Sequence, residues 1–131
     1  MEWRIERDSN NRTVVYAAEE LLFYLKRIDP AIDIALLKSD PDKIFNNPLK
    51  LQVGGDSFNL PENTMLDDAY HIDVTNGAGV IAGSNARSVL LGVYRFLHEL
   101  GCRWVRPGTD GEIIPKADLS ICAVKITEKA S

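Results

Sequence analysis

Residues 82–108, AGSNARSVLLGVYRFLHELGCRWVRPG, carry the strongest pattern in the chain. Val89, Val93, Phe96, Leu97 and Leu100 recur at helical spacing, and Leu90 and Tyr94 widen the apolar stripe. Ser84 or Asn85 supplies a side-chain oxygen for the orphan N–H groups at the helix start. Gly101 directly follows the last apolar residue, where a left-handed stop belongs. Gly92 interrupts the stripe and predicts a neighbour that approaches the helix closely. CRWVR, 102–106, then reads as a short strand, and Pro107–Gly108 as a turn. The segment is dense in packing residues and holds no evident nucleophile, metal set or phosphate loop.

Working outward, NGAG at 76–79 is a tight-turn signal, because Asn and Gly tolerate positive φ. It joins YHIDV (70–74) to VIAG (80–83) as a hairpin, with Tyr70, Ile72 and Val74 inward and His71 and Asp73 outward. LKLQVG (49–54) alternates Leu49, Leu51 and Val53 on one face of a further strand. Near the start, WRIER (3–7) predicts an opening strand, followed by SNNRT, rich in capping residue types. Ala18, Leu21, Leu22, Leu25 and Ile28 then lie on one face of a first helix, which Asp29–Pro30 stops. AIDIALL (31–37) predicts a strand and LSICAVKI (119–126) a closing one; 38–48 and 55–68 predict polar loops. The expected order is β-α-β-β-β-β-α-β. That is an α+β fold, with both helices on one face of a mixed or antiparallel sheet.

The 131 residues suit a single domain. Apolar residues at 45% and charged residues at 26% are ordinary for a globular protein. Fifteen basic against 19 acidic residues leave a net charge of −4, with no basic surplus for a nucleic-acid backbone. No stretch approaches the ~18 apolar residues of a membrane span. MEWRIERD has no apolar signal core, so the chain reads as cytoplasmic or as a mature fragment. Cys102 and Cys122 are too far apart for a CxxC pair; they read as two apolar free thiols, with one disulfide as the alternative.

Candidate chemistry is sparse. Gly77, Gly79 and Gly83 echo a dinucleotide fingerprint, but a strand intervenes between the first two and the helix. The helix start at Gly83, Ser84 and Asn85 offers N–H groups to an anion, as any helix does. His71 and Asp73 share a strand face, but His98 stands at no ligand spacing from them and a metal needs three or four ligands, so a solvated strand face is the stronger reading. Glycoside hydrolysis uses two carboxylates about 5–10 Å apart in a cleft; Asp67 and Asp68 are adjacent in a loop, Asp110 and Glu112 flank a turn, and nothing singles out one of these acids for a raised pKa. Ser84 and Ser88 read as helix-start residues, not nucleophiles. Trp3 and Trp104 are potential sugar-stacking rings, with burial in a core or at a domain interface the stronger reading for Trp104. Arg87, Arg95, Arg103 and Arg106 gather around the second helix and suggest ion pairs or a face toward another domain. No catalytic, cofactor-binding or metal-ligating residue is assigned, and no cofactor is expected.

With Gly83, Arg87, Leu90, Gly92, Val93, Tyr94, Phe96, Leu97, Leu100, Gly101, Cys102, Arg103, Trp104 and Pro107 in place, the segment resembles a known one. It closes the N-terminal domain ahead of the catalytic barrel in bacterial α-glucuronidases of glycoside hydrolase family 67. A similar domain precedes the barrel in β-N-acetylhexosaminidases. AAEELLFYL (17–25) fits the first helix of that domain, and Tyr70 and Ile72 fit a strand, so the resemblance spans nearly the whole chain. Ser88 stands where the pattern has Gly, Leu91 where it has Tyr, and His98 and Glu99 where an acidic and a variable residue are usual. The resemblance implies a non-catalytic α+β accessory domain, residues 1–131, from the N-terminal part of a larger enzyme. It would brace a following (β/α)8 barrel of ~250 residues that holds the catalytic carboxylates. Loops 38–48 and 55–68 are the places where such a domain would touch an oligosaccharide. The parent enzyme is expected in the periplasm or outside the cell. A free-standing module binding carbohydrate or protein is the alternative.

Overall fold

The computed structural model describes residues 2–7, 11–38, 48–54, 69–104, 112–116, 119 and 122–129. Its elements are β1 (Glu2–Arg7), α1 (Arg12–Ile28), β2 (Asp33–Lys38), β3 (Leu49–Val53), β4 (Ala69–Thr75), β5 (Ala78–Gly83), α2 (Ala86–Glu99), β6 (Arg103–Trp104), β7 (Glu112–Ile113) and β8 (Ala123–Lys129). The expected α+β order holds, with β6 and β7 forming a separate two-stranded ribbon. The glutamate of β7 falls where the sequence suggested only a turn.

The main sheet is mixed and six-stranded, in the order β2-β1-β3-β5-β4-β8. β1 pairs in parallel with β2 and β3, and β3 with β5. β4 is antiparallel to both β5 and β8, so it alone runs against the rest. The parallel β1–β2 pair needs a crossover, and α1 supplies it. β4 and β5 need only a hairpin: Thr75 pairs with Ala78, and Asn76 (φ 50) and Gly77 (φ 88) form the two-residue turn between them. Positive φ at both central positions is the turn whose twist matches the strands.

Both helices start on side-chain caps. Asn11 Oδ1 accepts the Thr13 N–H at 2.8 Å, and Asn85 Oδ1 accepts the Ser88 N–H at 2.8 Å. Of the two cap candidates for α2, Asn85 fills the role. Gly101, at φ 113, follows the end of α2 as its spacing predicted. α1 ends at Ile28 with Asp29 as its C-terminal cap, ahead of Pro30.

α1 and α2 pack against each other and on the same face of the sheet. From α1 the core takes Val14, Ala17, Ala18, Leu21, Tyr24, Leu25 and Ile28. Leu22, expected in that set, is only half-buried, and Tyr24 takes a place there instead. The reason is that α1 meets two surfaces, the sheet below and α2 beside it, so its buried arc is rotated toward α2. From α2 come Ser88, Val89, Gly92, Val93, Phe96 and Leu97, while Leu90, Tyr94 and Leu100 stay half-buried. The sheet contributes Trp3, Ile5, Leu49, Leu51, Ile72, Val74 and Ile81. Val53, expected inward with Leu49 and Leu51, is 39% exposed at the end of β3.

The close neighbour predicted at Gly92 is β-sheet. A Cβ there would lie 2.8 Å from Ile81 Cγ2 and 3.4 Å from Tyr70 Cβ. The tryptophan of β1 lies against another glycine: a Cβ on Gly77 would come within 2.8 Å of the Trp3 ring. Trp3 itself is 1% exposed, with its ring 6.5 Å from that of Phe96, so it is core and not a sugar platform. Among the described residues, no helix is long and apolar enough to cross a membrane.

Candidate functional site

The features with chemical potential in the sequence resolve into structural roles. Gly83 carries the β5–α2 junction, where a Cβ would collide with the backbone N of Val89. The three glycines therefore serve a hairpin and a strand–helix corner, not a pyrophosphate. Ser84 Oγ accepts the Ala69 N–H at 3.0 Å and lies 3.3 Å from Ser88 Oγ, with both side chains buried. These serines tie α2 to β4, and the Asn85 carboxamide occupies the first turn of the helix.

His71 and Asp73 do point away from the helices, as expected. His71 is not a solvated residue, however: it is buried, with Nδ1 2.6 Å from Thr127 Oγ1 on β8. The His71↔Thr127 pairing of β4 and β8 places the two side chains opposite each other, a relation that only strand register creates. Among the described residues, no three His, Cys, Asp or Glu side chains gather to hold a metal ion. Asp67, Asp68, Asp110 and Arg106 lie outside the described residues, as do 39–47 and 55–68; Glu112 is described through its backbone alone. Cys102 is buried and Cys122 half-buried, and no disulfide joins them. Burial raises the Cys122 thiol pKa above its ordinary value.

The arginines near α2 divide. Arg95 pairs with Glu99 (Nε–Oε1, 2.9 Å) and with Glu128 on β8 (Nη1–Oε1, 2.9 Å). Glu128 also accepts the Tyr70 hydroxyl proton at 2.9 Å, which links α2, β8 and β4. Arg103 Nη1 donates to the His98 and Cys102 carbonyls, both at 2.7 Å, and so satisfies the end of α2. Arg87 is exposed on α2.

What remains is an aromatic surface on the outside of the helical layer. Trp104, reached through β6, meets Tyr24 of α1 and Tyr94 of α2 edge-on, with centroids 5.4 Å and 5.6 Å away. Its indole N–H donates to Tyr24 Oη at 3.2 Å. Phe23 stands edge-on to Tyr24 at 5.0 Å, and the Arg27 guanidinium lies 5.4 Å from the Phe23 ring centre. Tyr16 completes the row; its hydroxyl pKa is raised by hydrogen bonding to Glu20 and then to Tyr94. Trp104 bridges the two helices yet keeps 37% of its surface exposed; Phe23 keeps 49%, Tyr16 48% and Leu91 39%. A shallow groove of about 470 Å³ runs over Tyr16, Glu19, Glu20 and Phe23.

Of these residues, the sequence singled out Trp104, for burial or an interface; it is in fact half-exposed. Tyr16, Phe23 and Leu91 were missed. The available signal was Tyr16 and Phe23, seven residues apart on the otherwise polar side of α1. Large apolar groups grouped on a helical face with Tyr, Trp and Arg have the composition of an interface core. Nothing in this surface resembles a nucleophile paired with a base. Comparison with models of known protein families finds none that matches the chain, and no curated protein matches it.

Proposed function

We propose that this chain is a non-catalytic accessory domain of a carbohydrate-active enzyme, an α-glucuronidase-like glycoside hydrolase, and that it braces a following (β/α)8 barrel. The resemblance of residues 82–107 to the domain preceding such barrels supports the family. The observation that carries the role is the exposed outer helical face of Tyr16, Phe23, Leu91 and Trp104. Docking this face would remove apolar area from water, at roughly 25 cal/mol per Å² before the costs of association. In this reading the two carboxylates of glycoside hydrolysis belong to the barrel, and the domain positions and stiffens it. The parent enzyme works in the periplasm or outside the cell.

The test is the reading frame beyond Ser131, which should encode about 250 residues of alternating strands and helices. A stop codon directly after Ser131 would sink the proposal. In the longer protein, Phe23→Ser with Trp104→Ser should lower the barrel's thermal midpoint more than that of the isolated 131 residues. A second reading, a carbohydrate-binding module, is favoured by the exposed rings and the Glu19 and Glu20 carboxylates over one groove. Calorimetric titration with uronic-acid-bearing xylan fragments separates the two, since saturable binding by the isolated chain belongs only to the second.

A further inference from the structure

We infer that the β2 edge of the sheet is a self-pairing surface, through which two copies of this chain associate about a twofold axis. The sheet has two edge strands, β2 and β8, and they differ in kind. β8 exposes Lys125 and Glu128, the sort of charge that blunts a strand edge. β2, DIALLK, places four apolar residues in a row, with charges only at its ends. Among the described residues no strand pairs with its outer side, so its outward N–H and C=O groups face away from the sheet unpaired by it.

Apolar side chains flank that outward backbone. Ile34 and Leu36 share the helix side of β2, because they pair with Trp3 and Ile5 of β1. Leu36 is 41% exposed, although its neighbour Ile5 is 1% exposed. α1 crosses above, with Tyr16 and Tyr24 on the flank turned toward α2. Val15 and Leu22, two turns apart, fall on the opposite flank, toward the β2 edge, and both are half-buried. Strand and helix thus present one apolar seam.

The seam fits a copy of itself. A twofold axis perpendicular to the sheet and centred on Ala35 would set two β2 strands antiparallel. Ile34 of one copy would then lie opposite Leu36 of the other, twice over, on the helix side. Ala35 would face its own counterpart on the other side. The pairing would fill the outward backbone groups of both strands and extend one mixed sheet through the dimer. A strand and a helix flank make a small interface, so the dimer is weak and concentration-dependent.

Sedimentation of the 131-residue chain over a micromolar concentration series should show monomer passing to dimer. Leu36→Lys, at an exposed position, should weaken the dimer about tenfold or more while leaving the circular dichroism spectrum unchanged. Ala35→Cys should cross-link two copies under mild oxidation, because opposed Cα atoms at about 4.5–5.5 Å lie within disulfide reach. The unsubstituted chain, with its own two thiols, is the control. Phe23→Ser, on the outer helical face, should leave the dimer intact. Monomer at every concentration, a dimer indifferent to Leu36→Lys or dispersed by Phe23→Ser, or an Ala35→Cys variant that fails to cross-link would each overturn the inference.

Discussion

Gly92 shows how one missing methyl group sets the distance between a helix and a sheet. In an exposed helix Gly→Ala stabilises by up to ~1 kcal/mol, through lost backbone freedom in the unfolded chain. At Gly92 the new Cβ would lie 2.8 Å from Ile81 Cγ2. Ile81 is fully buried and β-branched, so its methyl cannot swing aside. Overpacking typically costs 1–3 kcal/mol, which outweighs the helical gain. Gly92→Ala should therefore destabilise by about 1–2 kcal/mol in urea unfolding. In an Ile81→Ala background, which removes Cγ2, the same change should cost much less, and a double-mutant cycle reads the difference. Equal costs in both backgrounds would refute the contact. The sequence announced Gly92 because a glycine inside an apolar stripe has few other uses. It gave no hint that Trp3 rests on Gly77, since nothing local to either residue encodes their meeting.

Elements were legible wherever a residue's role was local. Both helices, the Asn76–Gly77 turn, the stop at Gly101 and the inward set Tyr70, Ile72 and Val74 follow from spacing and turn chemistry. What failed depended on partners distant in sequence: Leu22 lost its core place because α2 lies beside α1, and His71 meets Thr127 because β8 lies opposite. The strand order was equally hidden, because hydrophobic alternation does not say which strand is a neighbour. Register also explains the clasp in which Tyr70, Glu128, Arg95 and Glu99 join β4, β8 and α2. The clasp is largely exposed, so Glu128→Gln should cost under ~1 kcal/mol. Its more distinctive trace is in alkali. Burial, then the Glu128 hydrogen bond, raises the Tyr70 phenol above its ordinary 10.0. Burial likewise raises Tyr94 and Cys122. Groups raised in this way keep their protons in the folded chain after the unfolded chain has lost them. Their stabilisation is complete below the unfolded values, about 9 for the thiol and about 10 for the phenols, and is lost as pH rises past them. The urea midpoint should thus be level near neutrality and fall above about pH 9, and Tyr70→Phe should make the fall shallower above about pH 10. A midpoint that rises with alkali would contradict the raised values.

For the molecule as a whole, the decisive asymmetry is between the two sides of the helical layer. Toward the sheet, Val93, Phe96 and Leu97 are fully buried; away from it, Phe23, Tyr16 and Leu91 keep between 39% and 49% of their surface in contact with water. If the inner side supplies the stability and the outer side is held for a partner, polar substitutions on the two sides must diverge. Val93→Ser creates a cavity and buries a hydroxyl, and should cost about 3 kcal/mol. Phe23→Ser and Leu91→Ser remove little buried area and should each stay within about 1 kcal/mol of the parent chain in urea unfolding. The outer pair should differ from silent surface changes in another readout: binding of a fluorescent apolar dye to the native chain should drop, because the apolar side chains it would cover are gone. Trp104→Ala tests the boundary between the sides. It removes the edge-on contacts to Tyr24 and Tyr94 and the hydrogen bond to Tyr24, so it should cost about 1–2 kcal/mol and weaken dye binding as well. If Phe23→Ser or Leu91→Ser unfolded the chain as readily as Val93→Ser, the outer face would be a second core of this domain, not a surface kept for something else.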